Sequence, residues 1–463
     1  MNNQKTQEGG PHYAISRKAE TRIDRRSFLR STAAAGAGLV LAPKSFGLTT
    51  GSKTDDINVA LLGAGAQGQV LMHACLKMPG IRFKAVCDIW TAYNQRRASR
   101  ILKAYRHEHN TYVDYQEMLD TEKDLDAVII ATPDFWHAEH TVDCLKAGLH
   151  VYCEKEMSNT LEGAKQMVQA AKETDRLLQI GHQRRSNPRY IYCYERLIKE
   201  AKLLNCITTV NGQWNRAKFA CEDMGWPKGT GIDTATLSKY GFKSMEQFRN
   251  WRWYKGLGSG PIVDLGSHQI DVYSWFLDAR PKSVIASGGI DYWKGHEWYD
   301  NVMAIYEYET KQGTVRAFYQ TITTNSSQGY FETFMGDEGT LVISESAGRC
   351  AIYREDWVPE AKWEKWVKKG YLGKEKGKDQ AANNGGVLDV RSTVPAARYE
   401  LPVKMDKPFH QPHLENFFDA IRDKAKLNCP PEIGYETAVT VLKVNEAVEA
   451  TRKLDFKPEE FKA

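Results

Sequence analysis

Through the first half of the chain, short apolar runs alternate with segments of helical spacing. The runs at 57–62, 83–87, 127–130, 149–153 and 177–180 predict strands buried on both faces. Between them, 67–78, 92–105, 138–147 and 161–174 bring apolar residues round every three or four positions and predict helices. Strand–helix alternation with short connections predicts a parallel sheet covered on both sides.

Near residue 204 the period changes. Segments 207–214, 283–291, 302–308, 314–320, 330–335 and 340–344 alternate apolar and polar residues, as antiparallel strands with one buried face do. Polar turns ending in Gly313 and Gly339 separate two of these pairs. Helices predicted at 414–424 and 436–453 would pack back on the first domain. Two polar stretches, 218–246 and 357–398, read as active-site rims or surface excursions. The pattern as a whole predicts an α/β chain. A parallel-sheet domain at 55–182 precedes an α/β domain at 183–463 with a large, open, mostly antiparallel sheet.

The first 47 residues differ from the rest. Arg25-Arg26-Ser27-Phe28-Leu29-Arg30 is followed by a run of small and aliphatic residues at 33–42, then by Ser45 and Gly47. A basic region, an apolar stretch and small residues in that order predict a twin-arginine signal at 1–47, cleaved after Gly47. The apolar stretch falls short of the roughly 20 residues that span a bilayer. That route carries folded chains outward, which predicts a periplasmic protein without stable membrane insertion. Of 63 Lys+Arg and 58 Asp+Glu, 8 and 3 lie in residues 1–47, which leaves 55 of each. The basicity therefore belongs to the signal, and nucleic acid is not an expected partner. Nine cysteines without a CxxC pair argue against a cysteine metal site. They read as buried thiols, with no metal expected.

Gly63-Ala64-Gly65-Ala66-Gln67-Gly68 follows an apolar strand and opens a helix, the setting in which each glycine has a task. Gly63 permits the tight turn, Gly65 lets backbone approach a pyrophosphate, and Gly68 allows close helix–strand packing. The helix N-terminus then faces the phosphates. Asp88 ends the next strand 20 residues after Gly68, where a carboxylate accepts from ribose hydroxyls. Its charge repels a 2′-phosphate, so the expected cofactor is NAD.

Three further segments close strands: Ala131-Thr132-Pro133-Asp134-Phe135-Trp136-His137, Cys153-Glu154-Lys155-Glu156 and Gly181-His182-Gln183-Arg184-Arg185. Lys155 at a strand end needs a partner or a task. Asp264 and His268 are four residues apart, so they share a helical face if the helix has begun by Asp264. The carboxylate could then orient the histidine for proton transfer.

Taken in order, Gly63–Gly68, Thr132-Pro133 with His137 and His140, Glu154-Lys155, Gly181–Arg185 with Pro188, and Asp264 with His268 resemble the Gfo/Idh/MocA oxidoreductase family. The resemblance runs from Ile57 to the C-terminal helix. It implies a Rossmann domain, then an α/β domain with an open sheet. It also implies Lys155 at the reacting oxygen, His268 as acid/base, and Asp264 beside it. Ala66, Gln67, Thr132, Pro133, Trp136, His137, Glu154, Lys155 and Gln183 would join the cofactor site, and Arg185, Arg252, Trp253, Asp264 and His268 the substrate site. In this chain Glu156 replaces the proline usual after the lysine, and Gly258-Ser259-Gly260-Pro261 replaces the usual glycine run.

The chemistry expected is hydride transfer between a carbinol of a sugar, glycoside or cyclitol and tightly held NAD. Trp251, Arg252, Trp253 and Tyr254 are either a platform for a polyhydroxylated ring or a packing segment. Two alternatives stand beside it: NAD-dependent glycoside cleavage through transient oxidation, and a non-catalytic sugar-binding protein on the same fold. An open sheet face predicts a homo-oligomer, a dimer or tetramer.

Overall fold

A computed structural model of the chain describes residues 56–376 and 396–463, so the signal predicted at 1–47 lies outside the described residues. Six parallel strands form the first sheet: β1 (Ile57–Leu62), β2 (Ile81–Cys87), β3 (Asn110–Tyr112), β4 (Ala127–Ile130), β5 (His150–Cys153) and β6 (Leu178–Ile180). Their order is β3-β2-β1-β4-β5-β6. Leu62 lies level with Cys87 and Ile130, and Cys153 level with Ile130 and Ile180. The strands therefore end along one edge, which brings Gly63, Asp88, Ala131, Glu154 and Gly181 into a row. The strand order reverses between β1 and β4, and at such a reversal the connections diverge and leave a crevice.

Helices cover both faces. On one face, Ala66–Cys75 and Arg96–Ala104 are joined by Gln411–Ile421 from the far end of the chain. Leu414, Phe417 and Phe418 of that late helix are buried against Val59, Leu61, Phe83 and Ile129. On the other face lie Asp134–Lys146, Leu161–Thr174 and Pro431–Ala450, and this core continues beneath the second sheet.

The second sheet has ten strands: β7 (Ile207–Asn215), β8 (Pro281–Gly289), β9 (Asn301–Thr310), β10 (Gly313–Ile322), β11 (Tyr330–Gly336), β12 (Gly339–Ile343), β13 (Ala351–Arg354), β14 (Glu375–Lys376), β15 (Ala397–Tyr399) and β16 (Leu454–Asp455). They are ordered β14-β15-β13-β12-β11-β7-β10-β9-β8-β16. One pair departs from the antiparallel pattern: β7 and β10 run parallel, with Gly212 beside Tyr319. A parallel pair requires a long crossover. Here the helix Gly260–Leu277 and the β8–β9 hairpin supply it. That helix packs on β7, β9 and β10. Along β9, Val302, Ala304, Tyr306 and Tyr308 point inward while Met303 and Ile305 are exposed, as is Ile285 on β8.

The stretch at 357–398 is not a plain surface excursion. Glu360–Lys368 is a helix that buries Trp363 against Tyr399 of β15 and Trp366 against Tyr371, and its apolar positions are obscured in the sequence by the surrounding lysines. Residues 377–395 of that stretch lie outside the described residues. All nine cysteines are unpaired, seven of them buried. Among the described residues, no group of His, Cys, Asp and Glu is arranged to hold a metal ion. No described helix is long and apolar enough to cross a membrane.

Candidate active site

A cleft of about 620 Å³ opens along the edge where the first sheet's strands end. Gly63, at φ +89°, turns the chain at the end of β1, and a Cβ there would stand 2.7 Å from the Ala131 carbonyl. A Cβ on Gly68 would lie 2.0 Å from the Gly63 oxygen, so helix and turn touch through backbone alone. Gly65 faces open space, with Asn94 Nδ2 at 3.8 Å the nearest contact of a built Cβ. The helix beginning at Ala66 has no side-chain cap, which leaves its first N–H groups directed to the cleft. This is a cradle for a pyrophosphate. Asp88 accepts from the backbone N–H of Ala64 and of Trp90, both at 2.7 Å, so it also ties the glycine turn to the next loop. Burial raises its carboxyl above the ordinary value, against the lowering effect of these bonds. Gly68→Ala is expected to weaken NAD binding about tenfold or more in calorimetry and to cost about 1–3 kcal/mol of stability through overpacking.

Thr132, Pro133, Trp136, His137, Glu154 and Gln183 also line the cleft. His137 spans two loops, its ring nitrogens 2.7 Å from the Glu156 oxygen and 2.8 Å from the Thr132 oxygen. Trp136 stacks on His140, whose Nδ1 lies 3.1 Å from the Thr132 hydroxyl. Gln67 donates to Glu154 at 2.9 Å and lies 3.0 Å from His410. Gln183 donates to Glu345.

The substrate end is organised by one carboxylate. The helix Gly260–Leu277 has begun by Asp264, so Asp264 and His268 do share a face. The carboxylate does not orient the histidine, however. It receives Lys155 Nζ at 3.3 Å and Arg252 Nε at 3.1 Å, and Lys155 donates as well to the Asp264 carbonyl. Burial alone would raise the Asp264 carboxyl, but Lys155, Arg252 and Arg216 outweigh it and hold it far below the carboxylate range. Asp264 thus positions Lys155 and Arg252. His268 stands apart in the same cleft, its Nδ1 without a partner and its ring 5.4 Å from that of Trp214. Burial, then the charges of Lys155 and Arg184, push its pKa well down and favour the neutral imidazole.

Arg185 does not belong to the substrate site. It pairs with Asp271 at 2.7 Å, stacks over Trp275 and does not line the cleft. The turn Gln183–Ser186 sends successive side chains in different directions, and Asp271 on the neighbouring helix captures this one. Trp251, Arg252 and Trp253 line the cleft, whereas Tyr254 does not.

Several wall residues carried no usable signal. Trp214, Arg216 and Tyr330 come from β7, its end and β11, and His410 from just before the late helix. Asp134 was in view, within the segment closing β4, yet had no assigned part. Its carboxyl is buried at the cleft wall, and that burial pushes its pKa up to about 7 against the opposing charges of Lys155 and Arg252.

Glu156 is fully buried, with Oε1 accepting from Met157 N–H and Oε2 unpartnered. Burial pushes its pKa up to about 8 from an ordinary 4.5. Between these values the folded state holds a proton that the unfolded state has lost, so stability falls as pH rises. Glu156→Gln keeps an acceptor for Met157 and cannot ionise. Its stability relative to the parent is expected to grow from about pH 4.5 to about pH 8 and stay level above. Urea denaturation at pH 5, 7 and 9 checks this; a constant difference would count against it.

Comparison with known proteins bears on both halves of the chain. Residues 57–182 match the oxidoreductase family with an NAD-binding Rossmann fold, and 234–342 match the GFO/IDH/MocA C-terminal domain. A glycosyl hydrolase family 109 protein of Shewanella baltica is 31% identical over 176 residues, 33% of this chain and 38% of the relative. An alpha-N-acetylgalactosaminidase of Shewanella oneidensis is 29% identical over 175 residues, with the same coverage. The chain thus spans 38% of the length of these curated relatives. Among solved structures, levoglucosan dehydrogenase in complex with NADH and levoglucosan superposes with TM-score 0.62 at 18% identity, covering 87% of this chain and 99% of that one. The WlbA dehydrogenase of Bordetella pertussis, in complex with NADH and UDP-GlcNAcA, gives 0.60 at 16%, covering 87% and 99%. These likenesses agree with the two-sheet fold. The glycine turn fits an NAD pyrophosphate, two matched regions of one family follow in order, and the chain is a member of the Gfo/Idh/MocA oxidoreductases.

Proposed function

We propose that this chain is an exported, periplasmic NAD-dependent oxidoreductase acting on a carbinol of a sugar, glycoside or cyclitol. The observation that carries this reading is the sharing of one cleft by the glycine turn, Lys155 and His268. Bound NAD supplies a hydride acceptor. Lys155, held by Asp264, places a cation beside the oxygen of the carbinol and stabilises the developing alkoxide. His268, in the same cleft with its Nδ1 unpartnered, takes the hydroxyl proton. Trp214, Trp251 and Trp253 offer flat surfaces to a sugar ring, and Arg252 offers donors to its hydroxyls. The apolar outer face with Ile285, Met303 and Ile305 supports a homo-oligomer, a dimer or tetramer.

A second reading is redox-neutral glycoside cleavage through transient oxidation and elimination. The likeness to family 109 glycosyl hydrolases favours it, and so does a location where soluble NAD is scarce. The Glu154-Lys155 pair favours net oxidation. Incubating the NAD-loaded protein in D₂O with a glycoside panel and weighing the products separates the two. Loss of two hydrogens with reduced cofactor supports dehydrogenation. Sustained cleavage with deuterium next to the former carbinol supports the second reading, and no conversion of any kind overturns both.

A further inference from the structure

Three cations reach toward the Asp264 carboxylate, and two of them are matched by it. Lys155 and Arg252 bond Asp264 directly, while Arg216 acts on it only through its field. Arg216 follows the last residue of β7, fixed by its own N–H donating to the Ile322 carbonyl at 2.8 Å. Its guanidinium lies over the Trp214 ring, 5.5 Å from the centroid, and lines the cleft. The same indole is 5.4 Å from His268 on centroids and stacks on Tyr330 at 4.6 Å. Arg216 is half-buried. Neither Glu222, which also lines the cleft, nor any other described carboxylate is within ion-pair distance of it.

The other cleft carboxylates have separate positions. Glu345 is taken by Arg184 and Gln183, Glu154 accepts from Gln67, and Asp88 serves the glycine turn. A guanidinium that has given up part of its hydration, and that forms no ion pair with a carboxylate among the described residues, is a standing recognition element. Its planar fork of donors matches a carboxylate or sulfate in paired bonds better than it matches scattered hydroxyls. The Trp214 ring lies close to both groups, 5.5 Å from the guanidinium carbon and 5.4 Å from the His268 ring.

We infer that Arg216 forms an anionic subsite and that the substrate is an acidic sugar, bearing a carboxylate or a sulfate ester close to the carbinol that reacts. This rests on the oxidoreductase reading for the word substrate, but the subsite itself is tested by binding alone. The sugar ring would lie in the cleft beside Arg216, which would hold the anion at its edge. The neutral parent sugar leaves Arg216 with no counter-charge and binds more weakly.

The test uses the full chain saturated with NAD and titrates matched pairs by calorimetry. Methyl glucuronide and methyl galacturonide are set against the corresponding methyl glucoside and galactoside, and the 6-O-sulfates of the same glycosides form a second arm. At least one acidic member is expected to bind about tenfold or more tighter than its neutral partner, the scale of a charge-assisted pair. A preference confined to the uronides assigns the anion as a carboxylate, and one confined to the sulfates assigns a sulfate ester. Arg216→Gln should collapse the acid-to-neutral ratio to near one, and Arg216→Lys should restore part of it. The ratio, rather than absolute affinity, is the readout, so general damage to the cleft does not imitate the result. Equal or better binding of the neutral sugars, no binding by any acidic sugar, or a ratio that survives Arg216→Gln overturns the inference. Turnover of neutral sugars alone would leave the oxidoreductase reading standing while this one falls. Selective acid binding without turnover would do the reverse.

Discussion

Lys155→Ala is expected to lower kcat by about 10²–10⁴-fold, the range of a positioned proton-handling or charge-stabilising group. The fold should survive, because Asp264 keeps Arg252 at 3.1 Å when its other cation is gone. NAD should still bind, since the glycine turn and Asp88 have no contact with the lysine. A second readout distinguishes chemistry from architecture. The lysine charge is the largest influence lowering the Asp264 carboxyl, so its removal should move that titration upward, as NMR of the carboxyl would record. His268→Ala should cause a loss of similar size without that shift. Losses below about tenfold in both variants would reduce these residues to structural ones.

Arg184→Ala should be the most destabilising single change of those considered, at about 3–5 kcal/mol. Its guanidinium is fully buried and ion-pairs with Glu332 and, at 3.2 Å, with Glu345. The rings of Tyr190, Trp214 and Tyr330 surround it at 5.6–5.7 Å. Truncation leaves two carboxylates buried without a cation, which costs far more than the lost contacts themselves. Arg184→Lys should recover a minor part, since a point charge cannot bridge two carboxylates and present a flat face to the rings. Urea denaturation at pH 7 measures both variants. A loss for the alanine variant below about 1 kcal/mol would show that water reaches the pair.

The first sheet was legible because β1, β4 and β5 are mostly apolar, with one polar residue each in β1 and β5, and lie close to a glycine or proline. β3 was not, since it is three residues long with two of them exposed. In the second sheet, alternation marked β9 and β10 but could not mark direction, which depends on a crossover that no local pattern records. The site was legible where a motif ends a strand, as at Gly63–Gly68 or Glu154-Lys155. It was illegible within Gly260–Leu277, where Ile262, Leu265, Ile270 and Tyr273 are buried on every side and periodicity selects no face. Nothing in the order of residues says that Asp264 serves Lys155 and Arg252 while Asp271 captures Arg185. Arg216 and His410 become visible as wall residues once strands distant in sequence are set side by side.

The late helix Gln411–Ile421 has a consequence for how this protein is made. Leu414, Phe417 and Phe418 fill the core beneath β1 and β2, and His410 meets Gln67 in the cofactor cleft. The earliest domain to leave the ribosome is therefore finished by residues that emerge some 230 positions after its last strand. At roughly 5–20 residues per second, its apolar face waits about 10–50 s for its cover. A nascent chain in that interval is a natural client for chaperones, and a chain stopped short of residue 411 would remain one. Cofactor capture would then depend at once on Gln67, from the first helix of the domain, and on His410, made more than 340 residues later.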